Sequence, residues 1–230
     1  MRRLMLPVAL LAAPPAAADK VWPVSSFERL RVEGPVAVSV AVGSPSARTA
    51  TTDRAILARL TVTREGDTLL VRLKGAAPTG LGVASDDAPL ARVSLSTPRL
   101  SALRVQGTAP VSVARLSGTR VDVAATGGGT VTVAAIDASV LGVTMVGGGA
   151  LALAGRAATA RLTLNGDGAI DAGALAADAA AISLVGKGAV RAAARHSAQV
   201  VASGGGRVTV TGNARCTVRA TGGTVVDCGR

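Results

Sequence analysis

The stretch Val121-Asp122-Val123-Ala124-Ala125-Thr126-Gly127-Gly128-Gly129-Thr130-Val131-Thr132-Val133 places apolar residues at every second position on both sides of three glycines. The pattern recurs at Val146-Gly147-Gly148-Gly149, Asn165-Gly166-Asp167-Gly168, Val185-Gly186-Lys187-Gly188, Ser203-Gly204-Gly205-Gly206 and Thr221-Gly222-Gly223-Thr224. A degenerate first copy is Gln106-Gly107-Thr108-Ala109. The leading glycines Gly107, Gly127, Gly147, Gly166, Gly186, Gly204 and Gly222 are spaced by 20, 20, 19, 20, 18 and 18 residues. A period of that length marks a solenoid.

Counting outward from each leading glycine exposes the frame. Four residues after it stand Val111, Val131, Leu151, Ile170, Val190, Val208 and Val226; four before it stand Leu103, Val123, Val143, Leu162, Ile182, Val200 and Val218. Both series are aliphatic throughout, and the positions between them turn polar. Alternation on both sides of the glycines predicts two short strands per repeat, each with one face inward. Stacked in parallel at about 4.8 Å, the repeats form aliphatic columns inside and a column of glycine corners at the turns. The reading is all-β: a parallel β-helix or β-solenoid of about seven short coils. A right-handed coil is favoured by the general preference of parallel crossovers.

Upstream, residues 19–99 carry strand patterns without the glycine period and read as an N-terminal β region that caps the repeats of residues 100–230. Val36 to Val42 alternates strictly, and Leu60 to Arg64 with Leu69 to Leu73 forms a hairpin around Glu65-Gly66-Asp67. Three glycines, two prolines and Asp86-Asp87 make residues 75–90 a mobile loop.

Residues 1–18 read as a signal peptide. Arg2 and Arg3 precede the apolar run Leu4 to Ala13, and Ala16-Ala17-Ala18 offers a cleavage site. The apolar run is too short to span a bilayer, and no transmembrane segment is expected after cleavage. Export to the periplasm, the cell surface or the medium follows. The 230 residues include 28 Gly, one Trp, one Phe and no Tyr, so the core is built from aliphatic side chains in a narrow space. Less Arg2 and Arg3, the 25 basic residues exceed the 14 acidic ones by nine. That balance suits anionic partners, but the arginines are scattered and form no dense run, so a solubilising surface is the stronger reading.

The opening Phe27-Glu28-Arg29-Leu30-Arg31-Val32-Glu33-Gly34, the segment Leu100 to Gly107 and the glycine-triplet repeats resemble the putative auto-transporter adhesin, head GIN domain family. The resemblance covers nearly the whole mature chain and implies an exported β-solenoid with an adhesin label. The residues after Gly222 are too few for a membrane-translocating barrel, so a self-contained autotransporter is not expected.

Chemistry is sparse. The glycine copies match neither a phosphate-binding loop leading from strand to helix nor a calcium nonapeptide, whose period is about half as long. Six Asp and no Glu follow residue 100, and a single Asp167 in a glycine turn cannot supply the oxygens calcium needs. Asp171 and Arg191 share a ladder position and are expected to pair across coils. His196 reads as an exposed residue linking coils. No catalytic residue, metal site or cofactor is expected. Cys216 and Cys228, six residues before and after Gly222, share the inward parity of the last coil. In an exported protein they predict a disulfide, the alternative being two thiols that fill core positions.

The sequence therefore points to a cell-envelope protein with a non-catalytic adhesion or scaffolding role. Its expected partners are an anionic envelope polysaccharide or another envelope protein, and not nucleic acid. The competing readings are an enzyme acting on envelope polysaccharide beside residues 75–90, and an electrostatic binder of anionic glycans. If Cys216 and Cys228 are joined, reduction raises the intact mass by the two hydrogens of a thiol pair; an unchanged mass rules the bridge out.

Overall fold

The computed structural model describes residues 18–51, 54–74 and 91–229. The expected signal peptide and the 75–90 loop fall almost wholly or wholly outside these residues. Among these residues, seventeen strands join into one continuous sheet, wound as a β-solenoid of about 6 turns.

The chain begins with β1 (Ala18–Trp22), β2 (Arg29–Glu33), β3 (Val36–Val42) and β4 (Ser46–Thr51), followed by the short helix α1 (Arg54–Arg59). Next come β5 (Leu60–Glu65), β6 (Thr68–Leu73), β7 (Ala91–Thr97), β8 (Ala102–Gln106) and β9 (Val111–Val113). The glycine repeats supply β10 (Leu116–Thr126), β11 (Thr130–Val146), β12 (Ala150–Asn165), β13 (Ala169–Val185) and β14 (Ala189–Ser203). The last strands are β15 (Arg207–Thr211), β16 (Arg215–Thr221) and β17 (Val225–Cys228).

The repeats stack in parallel and in register, each residue opposite its counterpart one period away: Val123 pairs with Val143, Val143 with Leu162, Leu162 with Ile182 and Ile182 with Val200. Each repeat is not two separate short strands. The chain from one glycine corner to the next stays in the ladder for 15 to 17 residues in β11 through β14. A second corner is made inside the strand by slips in register, between Val133 and Ile136 in β11 and between Ala172 and Ala176 in β13. Such an irregularity bends a strand without ending its pairing.

The columns also extend upstream of residue 100. β2 pairs with β8 and β3 with β9, so the two strands around Gly34 form a full coil beneath the repeats. On the other side β6 pairs with β2 and β7 with β3, which makes the next coil. Beyond that coil the direction reverses. β5 runs antiparallel to β6, as the hairpin pattern predicts, and β4 runs antiparallel to both β7 and β1. Ile56 of α1 packs on the core at this end. There the Trp22 indole donates to Thr49 at 2.9 Å, and Lys20 sits 3.8 Å over the ring.

Inside, the two aliphatic columns are buried from Val111 and Leu103 down to Val208 and Val200. The filling becomes smaller along the axis. Val131, Val133, Ile136, Leu141, Val143 and Met145 fill one coil; Val190, Ala192, Ala194, Ala198, Val200 and Ala202 fill another three repeats on. The last coil lacks a neighbour, and its inward Val218 is 43% exposed. A disulfide joins Cys216 to Cys228 there, with Cα atoms 6.5 Å apart, tying β16 to β17 across the open end.

The corners depend on missing side chains. A Cβ on Gly186, whose φ is +127°, would meet the Gly166 carbonyl oxygen at 2.3 Å. Gly148 has open space around it and no positive φ. Gly186→Ala should therefore cost about 2–4 kcal/mol, through strain and the forced separation of coils. Gly148→Ala should stay within about 0.5 kcal/mol of the parent. Denaturant unfolding of the two variants side by side checks the contrast.

Candidate functional site

The glycine corners have little capacity left for a ligand. In the corners led by Gly127, Gly147, Gly166 and Gly186, the first amide donates to the following coil and the third donates to the preceding one. Gly127 N–H reaches the Val146 carbonyl at 3.0 Å, and Gly129 N–H reaches the Gly107 carbonyl at 3.2 Å. The same pair of bonds recurs at Gly147 and Gly149 and at Gly166 and Gly168. Even the middle amide of Lys187 is taken, by the Asp167 carboxylate at 3.2 Å. Backbone donors spent on the ladder are not free to cradle phosphate.

The carboxylates of the repeats are mostly engaged as well. Asp137 accepts from Arg156 of the next coil at 2.9 Å and from Arg115 of the preceding coil at 3.3 Å. Asp171 pairs with Arg191 at 3.6 Å, as their shared ladder position predicts, and Asp178 lies 3.8 Å from Arg195. Asp122 receives three bonds from the Arg120 guanidinium, at 2.9, 3.2 and 3.3 Å. Among the described residues, no three His, Cys, Asp or Glu side chains gather as metal ligands would. His196 is exposed but lies within β14, not in a link between coils.

One surface differs from the rest. On the face formed by β6, β2, β8, β10, β11 and β12, a groove of about 870 Å³ runs across the strands. Its outward positions form two lanes set by the register. Arg29, Ala102, Asp122, Gly142 and Arg161 follow one another in the first; Arg31, Arg104, Ala124, Thr144 and Thr163 follow in the second. Small side chains in the middle coils leave a floor, and Arg29, Arg31, Arg104, Arg120 and Arg161 border it. Gly142 is part of that shape, because a Cβ there would stand 2.7 Å from the Asp122 carboxylate.

The five guanidiniums are not equivalent. Arg120 is held by Asp122, and Arg31 by Glu33 at 2.6 Å, with Arg72 on the other oxygen of Glu33 at 2.5 Å. Glu33 is buried beneath this pair. The guanidiniums of Arg29, Arg104 and Arg161 have no acidic partner among the described residues. The matching lane on the second face reads Ser94, Ser39, Ser112, Thr132 and Ala152 before reaching the Asp171–Arg191 pair. Arg29, Arg104 and Arg161 therefore bring three guanidiniums without acidic partners to the border of one groove. Reading along the chain scattered these arginines, since Arg31 and Arg104 are 73 positions apart and become neighbours only through the pairing of β2 with β8. The signal available was the matching Leu-Arg-Val in Leu30-Arg31-Val32 and Leu103-Arg104-Val105.

The family model described as "Putative auto-transporter adhesin, head GIN domain" matches residues 26–214. Among solved structures, a putative adhesin from Bacteroides fragilis superposes with a TM-score of 0.81 at 20% identity, covering 94% of this chain and 98% of the other. A putative lipid binding protein from Parabacteroides distasonis gives 0.69 at 16%, with 92% and 96% covered. A putative adhesin from Parabacteroides merdae gives 0.67 at 18%, with 92% and 95% covered. At these identities the likeness establishes a shared fold. None of the curated proteins matches the chain.

The Arg156 hydrogen bond, reinforced by its charge and by Arg115, holds the Asp137 carboxyl below the ordinary aspartate range. A carboxyl lowered in the folded state stabilises above its unfolded pKa, and that contribution is lost as pH falls through the folded value. Asp137→Asn should therefore be less stable than the parent at neutral pH, and the two should converge in acid. Denaturant midpoints measured across a pH series provide the check.

Proposed function

The chain belongs to the putative auto-transporter adhesin, head GIN domain family, and on that premise we propose that it is an exported cell-envelope protein with a non-catalytic adhesion or scaffolding role. The observation that carries this reading is where the polar chemistry is spent. Corner amides bond neighbouring coils, and Asp122, Asp137, Asp171 and Asp178 each lie against an arginine. Acid–base catalysis needs carboxylates poised for proton transfer, one of them shifted toward neutrality. Among the described residues, the one carboxyl with a clear shift, Asp137, moves the opposite way.

What the repeats build is a stiff frame with broad sheet faces, suited to holding other molecules at fixed positions. A signal peptide ending at Ala18 supports export, and the family's adhesin description agrees with an envelope location.

The test is a binding assay with residues 19–230 against cell-envelope fractions, paired with an assay for new reducing ends. The expected result is retention on the envelope without polysaccharide cleavage. Absence of retention at low and at high salt would overturn the adhesion reading, and release of reducing ends would replace it with an enzyme.

A further inference from the structure

We propose that the arginine-bordered groove on the β6–β2–β8–β10–β11–β12 face binds a linear acidic polysaccharide, one carrying carboxylates along its length. The proposal rests on the adhesion reading and supplies it with a site and a ligand class.

The shape argues for a linear polymer. The groove crosses six adjacent strands, so at about 4.8 Å per strand it extends about 24 Å along the solenoid axis. It is long, shallow and open, and its floor of Ala102, Ala124, Gly142, Thr144 and Thr163 offers no pocket for a bulky anchor. Protein partners generally seat large apolar or aromatic side chains in such pockets, which makes a protein a poor fit.

The charge argues for carboxylates. Five guanidiniums border the groove against one carboxylate, and that carboxylate is already bound by Arg120. Arg29, Arg104 and Arg161 are exposed and free of acidic partners among the described residues, so binding an anion breaks no pair described there. Guanidinium matches carboxylate with two parallel hydrogen bonds. Arg29 and Arg104 sit on adjacent strands, and Arg161 lies three strands beyond β8, so the contacts are distributed along a chain and not focused on one small anion. Ser101, Thr144 and Thr163 add hydroxyls where a sugar presents its own. No aromatic ring lines the groove to stack a nucleobase, which single-stranded nucleic acid sites generally provide.

Affinity electrophoresis of residues 19–230 through gels containing polygalacturonate, neutral dextran or oligo-dT tests the proposal. The parent should be retarded by polygalacturonate, less so at high salt, and not by dextran. Replacing Arg29, Arg104 and Arg161 together by Gln should weaken that retardation about tenfold or more. A control triple at Arg48, Arg92 and Arg207, which removes equal charge from the second face, should change it by less than about twofold. The triple Arg→Lys variant of the groove keeps the charge and should fall between the two. Equal losses from both Gln triples would overturn the groove in favour of general charge attraction. Tighter retention by oligo-dT through the same three arginines would overturn the polysaccharide in favour of nucleic acid. If the groove triple no longer binds polygalacturonate yet is retained on envelope fractions like the parent, the groove is not the adhesive site, while the adhesion reading survives.

Discussion

At each glycine corner one coil's backbone lies against the next, and this close approach sets the terms for the whole molecule. A side chain on Gly127, Gly166 or Gly204 would overlap the carbonyl of the preceding corner, at 2.3 to 2.6 Å. Without side chains, the amides reach both neighbours, and the ladder runs through the turns instead of stopping at them. Continuous registration follows, and from registration come the aliphatic columns within and the lanes of outward residues. Parallel strands buried on one face need such registration, since a slip of one residue would turn the apolar set outward.

Ordinary globular cores lean on aromatic side chains for buried area. Here a narrow interior of Val, Leu, Ile and Ala is enough, because every coil covers the one beneath it. The cost appears at the termini. At the amino end antiparallel strands and a helix close the stack; at the carboxyl end the inward Val218 is partly open and a disulfide spans the last coil.

The period and the alternation made the repeats legible from residue 100 onward, together with the hairpin of β5 and β6 and the Asp171–Arg191 pair. Three things were not. The second corner lacks a glycine in every repeat: Gly155 stands opposite Ile136 and Leu175, Gly173 lies in the slip of β13 and Gly212 rests on Ala194, while the slip of β11 between Val133 and Ile136 holds none. The coil around Gly34 was hidden because 73 residues separate that glycine from Gly107, although Gly107 rests directly on it. The arginine groove was invisible for the same reason, since its members belong to strands brought together by stacking and not by sequence.

The long excursion between β3 and β8 also bears on the order of assembly. The chain lays down β2 and β3, turns back to build β4 through β7 on one side, and then returns to β8 on the other. A polypeptide delivered amino end first thus produces its earliest parallel coil with both edges bare. Neither edge is covered until residues far downstream arrive. Growth proceeds outward from a central layer in two directions, so the first coil made becomes an interior one, and erosion of either end leaves it protected.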